Sequence, residues 1–135
     1  DELNVGDEIN GFKVESKYLS EDKREAAFEL RGESIIEGEL QYGSGLHEDQ
    51  FVIITQKTDY DDVSIDILFV DEHVFRPSFK VLVIRNADVF SDELKDFLKS
   101  GNIRKVKLKA ELLMHWSQWE SEYINLVTVI EVLED

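Results

Sequence analysis

Ile103-Arg-Lys-Val-Lys-Leu-Lys-Ala-Glu-Leu-Leu-Met-His-Trp116 is the stretch on which the fold is decided. Val106, Leu108, Ala110, Leu112, Met114 and Trp116 read as one face. Lys105, Lys107, Lys109, Glu111 and His115 read as the other, so the period is two and the element is a long, half-buried strand. Upstream, Ser91 is a good N-cap, Asp92 and Glu93 suit the positive first turn, and Leu94, Phe97 and Leu98 share one side. This predicts one short α-helix over 91–100, too short to stand alone, that packs across one end of a sheet. Downstream, a Trp-Ser-Gln-Trp turn leads into a last strand from Tyr123 to Leu133.

The N-terminal half repeats the same alternation. Phe12, Val14 and Tyr18 predict a first strand, Ala26, Phe28 and Leu30 a second, and Ile36, Gly38, Leu40 and Tyr42 a third, with Arg31-Gly-Glu-Ser34 as the turn of an antiparallel meander. Phe51-Val-Ile-Ile-Thr55 is apolar throughout, as in a central strand covered on both faces. Val63 to Phe69 and, after Pro77, Phe79 to Ile84 complete six strands before the helix. The chain reads as one domain over 1–135, with residues 1–10 flexible.

The order from Phe51 onward, three strands, a helix and two strands, resembles an OB-fold (oligonucleotide/oligosaccharide-binding) domain. There a helix plugs the barrel between the third and fourth strands. The stretch from Leu94 through Lys-Ser-Gly101 into the alternating strand, and the closing Ile124-Asn-Leu-Val-Thr-Val-Ile-Glu-Val132, carry the likeness, mainly over residues 79–133. The tRNA-anti-like domains of bacterial envelope proteins are similar in the same way. The fold class expected is therefore mainly β: an antiparallel β-barrel, OB-like, with extra N-terminal strands and one short helix. The resemblance implies an oligonucleotide or oligosaccharide groove and a bacterial source.

Composition narrows that implication. Thirty Asp and Glu against fifteen Lys and Arg give a net charge of −15, which repels phosphate backbones and anionic lipid. A soluble monomer, or a protein partner with a basic surface, is favoured instead. Absence of cysteine excludes disulfides and thiol chemistry. No apolar run is long enough to cross a membrane. The chain begins at Asp1, so the expected compartment is the cytoplasm or, after removal of a leader, a bacterial cell envelope.

Two groups of residues are candidates for binding. Trp116, Trp119 and Tyr123, with His115 beside them, cluster at the tip of the last hairpin, where aromatic rings could stack on a ligand or simply staple the strands. Asp59, Asp61, Asp62, Asp71 and Glu72 offer an acidic surface. Their spacing lacks the glycine and terminal glutamate of an EF-hand, which points to solvated turns and no metal. His47, His73 and His115 sit on separate elements and read as surface histidines, and no nucleophile elbow or phosphate-binding loop is present. Lys105, Lys107 and Lys109 form a stripe that acidic cross-strand neighbours such as Glu131 can neutralise.

The function expected is a non-enzymatic binding or protein-interaction module without a cofactor. A DNA mimic or immunity-type inhibitor acting on a basic protein is the alternative, and a small hydrolase using acidic residues is the third. Double-stranded DNA is expected to migrate unretarded with micromolar protein at physiological salt in a mobility-shift assay. A salt-sensitive shift would show that the lysine stripe outweighs the global charge.

Overall fold

The computed structural model describes residues 4–22, 24–43, 49–55, 68–70, 73–75, 79–118 and 122–134. Its elements are β1 (Glu8–Ile9), β2 (Phe12–Leu19), β3 (Glu25–Tyr42), β4 (Phe51–Thr55), β5 (Leu68–Val70), β6 (His73–Phe75), β7 (Val81–Ile84), a 3-10 turn (Ala87–Val89), α1 (Asp92–Lys99), β8 (Arg104–Gln118) and β9 (Glu122–Glu134). The fold is mainly β, and no described helix is long and apolar enough to cross a membrane.

Seven strands form one mixed sheet in the order β1-β2-β3-β4-β7-β9-β8, and β3 also pairs with β8. That last pairing closes five of them, β3-β4-β7-β9-β8, into a ring. All ring contacts are antiparallel except β7 with β9. Among the described residues, β5 and β6 pair only with each other, in a separate two-stranded sheet. The strand at Leu68–Val70 is thus no part of the ring, and β3 takes the place as its first member.

The expected turn at Arg31-Gly-Glu-Ser34 does not form. Residues 25–42 are a single strand, irregular between Arg31 and Ser34, whose first half pairs with β2 and whose second half pairs with β4. The three exposed positions at 31–33 look like a turn, but Gly32, at φ +145°, lets the strand bend without reversing. Residues 12–42 are therefore two strands where three were expected, with β2 lying along the half of β3 that β4 leaves uncovered.

The core lies inside the ring. Phe12, Val14, Ala26, Phe28, Leu30, Ile36 and Leu40 meet Ile53, Leu82, Val106, Leu108, Leu113, Val127 and Val129 there. β4 is buried at four of its five positions, as its unbroken apolar run requires of a strand between β3 and β7. The helix forms within the expected bounds. Ser91 Oγ accepts the Leu94 N–H at 3.2 Å, and Leu94 and Leu98 join the core, each contributing about 2 kcal/mol on burial. Lys99 Nζ sits 5.7 Å from the Tyr42 ring, and Arg104 lies 4.4 Å over the Phe97 ring, so α1 caps the end of the ring where β3 finishes and β8 starts.

Gly38 lies close against β4: a Cβ there would overlap the Ile54 carbonyl oxygen. Gly38→Ala should therefore cost more than about 2 kcal/mol in chemical denaturation, since backbone rather than a side-chain tip must move. An unchanged midpoint would mean that β3 and β4 part easily.

Candidate functional site

One extra residue in β8 builds the site. Val106, Leu108 and Ala110 face the core, but the register with β9 shifts between Ala110 and Leu112. Beyond that bulge at Glu111 the inward residues are Leu113, His115 and Ser117. Leu112, Met114 and Trp116 turn to the outer face, because a one-residue slip exchanges the two sides of a strand. The uniform alternation expected across 105–116 is thus corrected, and His115, expected among the lysines, is only 1% exposed.

The bulge divides the outer face into two halves. Below it lies a charged ladder: Lys107 Nζ is 3.3 Å from Glu37, Lys109 Nζ is 3.6 Å from Glu33, and Lys109 also stands opposite Glu131 and Lys105 opposite Glu39. The neutralising cross-strand neighbours expected for the lysine stripe are in place.

Above it lies an apolar groove. Two register rows cross β2, β3, β8 and β9: Tyr18–Ala27–Trp116–Ile124, then Ser16–Glu29–Met114–Leu126. Together they floor a cavity of about 330 Å³. Tyr18 is 52% exposed, while Ala27, Met114, Trp116, Ile124 and Leu126 are half-buried. Glu29 bonds Arg31 Nε at 2.7 Å, and Arg85 Nη1 lies 3.5 Å from the Met114 sulfur. Contiguous apolar surface rimmed by charge is what a docking site presents.

The inner face of the same hairpin is polar. Asn125 donates from Nδ2 to the Val81 carbonyl at 3.1 Å, so its Oδ1 is left as the acceptor for His115 Nδ1 at 2.6 Å. The neutral ring therefore carries its hydrogen on Nδ1 and presents a bare lone pair at Nε2. Among the described residues, neither Nε2 nor the Ser117 hydroxyl, both buried, has a hydrogen-bond partner. Phe79 at 4.8 Å, Phe28 at 6.1 Å and Tyr123 at 6.4 Å surround the imidazole. Burial pushes its pKa down from 6.5 to about 4, opposed in part by the Asn125 bond.

Of the expected hairpin-tip cluster, His115, Trp116 and Tyr123 do share one end of the molecule, but on opposite faces. Trp116, half-buried, floors the outer groove, while the His115 side chain is buried and Tyr123, 38% exposed, lies 6.4 Å from its ring. Trp119 lies outside the described residues, as do Asp59, Asp61, Asp62, Asp71, Glu72 and His47. His73 falls in β6. Sequence reasoning missed Tyr18, Ala27, Glu29, Met114, Ile124 and Leu126 as one surface, and Asn125 and Ser117 as partners in the interior. The available signal was the Leu112-Leu113 doublet, where a strict alternation changes phase.

Comparison with protein-family models, with curated proteins and with solved structures finds no match.

The histidine gives stability a defined pH dependence. Its folded pKa of about 4 lies below the unfolded value near 6.5, so the unfolded chain binds the extra proton between these limits. The contribution is complete above pH 6.5, declines as pH falls and levels off below pH 4, for a total loss of about 3 kcal/mol. Melting curves from pH 4 to 8 should show a shallower acid limb for His115→Gln than for the parent chain; parallel limbs would exclude His115 as the source.

Proposed function

We propose that this chain is a non-enzymatic module that binds a protein partner through the groove on the outer face of β2, β3, β8 and β9. The observation that carries the reading is the position of Trp116. It is a half-buried ring turned outward by the bulge, in a groove with Tyr18, Met114, Ile124 and Leu126, while polar side chains take the interior in its place. Buried His115, Ser117 and Asn125 cost desolvation that an ordinary phase would avoid. A phase that hides polar groups and displays apolar ones is the expected compromise of a surface kept for contact.

The ring's three strands β3, β4 and β7, then α1, then β8 and β9, support an OB-like barrel as the frame of this module, with β1 and β2 as the additional N-terminal strands. The charge of −15 supports a protein partner over nucleic acid. The DNA-mimic alternative would be favoured by carboxylates gathered on one face. In the described ladder they are interleaved with lysines, which favours the groove.

Random-peptide display against the full chain tests the reading. Binders should be rich in aromatic and aliphatic residues. Met114→Glu should weaken them more than tenfold, about 1.4 kcal/mol, with a nearly unchanged melting temperature. Lys107→Ala, on the ladder, should leave them unaffected. Binders indifferent to Met114→Glu would place the interaction surface elsewhere.

A further inference from the structure

Resting on that reading, we propose that the groove recognises an arginine side chain of its partner, held between the Tyr18 and Trp116 rings with its guanidinium on Glu29. In the first register row Tyr18 and Trp116 are separated by Ala27 alone. Two strand spacings set their backbones roughly 10 Å apart. The lane between them is floored by a single methyl group, and a planar group stacked on two rings needs about 7 Å. The lane thus admits one flat or extended side chain and no bulky one.

Charge selects what enters. A guanidinium between two aromatic faces gains from both ring quadrupoles and, being weakly hydrated, loses less on leaving water than an ammonium does. Glu29 follows Ala27 by two residues on the same face of β3 and lines the groove. This carboxylate already holds a guanidinium, since Arg31 Nε contacts its Oε1 at 2.7 Å with the Arg31 side chain 54% exposed. An incoming arginine can displace or share that contact without leaving a buried charge unpaired. The remaining apolar floor, Met114, Ile124 and Leu126, suits the partner residues on either side, and the −15 charge draws a basic segment towards the groove. The occupant is accordingly an extended segment of a basic protein in which arginine is flanked by apolar residues.

NMR titration of the full chain with acetyl-Val-X-Val-X-Val-amide, where X is arginine, citrulline or leucine, tests this. Citrulline keeps the shape of arginine and removes the charge. The arginine peptide should shift the Ala27 amide and the Trp116 indole signals saturably and bind at least tenfold tighter than the citrulline peptide. Glu29→Gln should reduce that preference several-fold. Trp116→Ala should remove it, as should Ala27→Leu, which fills the lane; retained amide dispersion would verify that each variant is folded. Equal binding of the leucine and arginine peptides at the groove would overturn the arginine slot while leaving the docking surface standing. Shifts confined to the ladder, or none with any peptide, would overturn both. A preference that survives Ala27→Leu would also refute the slot.

Discussion

The single extra residue at Glu111 is the constraint on which the rest of this molecule depends. A strand that alternates without interruption from Lys105 would send Leu112, Met114 and Trp116 into the core and His115 towards solvent. The register shift against β9 reverses that assignment for the second half of β8. The consequence extends to neighbouring strands because residues paired across a sheet share a face: Ile124 and Leu126 accompany Trp116 and Met114 outward, and Asn125 accompanies His115 inward. The irregularity at Glu111 thus sets which side chains of β8 line the apolar groove and which the polar interior.

The energetic balance explains how this phase survives. His115 and Asn125 satisfy each other at 2.6 Å, and Asn125 reaches the Val81 carbonyl, so most of the buried polar capacity is used. His115 Nε2 and Ser117 Oγ, which find no partner among the described residues, cost about 1–3 kcal/mol each. Leu113, Val127 and Phe28, buried in the same region, offset that loss through apolar burial. At the far end α1 closes the ring with Leu94 and Leu98, an ordinary apolar cap. The two ends of one ring therefore differ in chemistry: one is sealed by the helix, and the other places aromatic and hydrogen-bonding groups beside an outward groove.

Much of the frame was legible in the chain. The helix with its Ser91 cap, the buried Phe51–Thr55 strand and the two long C-terminal strands follow from capping chemistry and periodicity, which are local. What escaped was non-local. Arg31 to Ser34 has the composition of a turn, and only the pairing with β8 on both sides of it reveals why the strand continues through. The acidic alternatives at Asp59 to Asp62 could be weighed only by composition. Trp116 and His115 were identified as candidates for a shared reason, proximity along the chain, yet proximity says nothing of face. The groove needed Tyr18 and Ala27, which no pattern near Trp116 could supply, because β2 and β3 bring them there from the other end of the sequence.

That long β3 pairing also governs how the molecule is assembled in time. β3 joins Glu25 to Gln118 and Leu40 to Arg104, partners far apart along the chain, and this is the contact that closes the ring. Contacts of such separation are slow to form, because the chain must surrender loop entropy before any pairing compensates for it. During synthesis from the N-terminus, Phe28, Leu30, Ile36 and Leu40 are made long before the strand that covers them. The nascent chain consequently carries an incomplete apolar wall until β8 emerges, an interval in which like net charge opposes the association that exposed apolar surface favours.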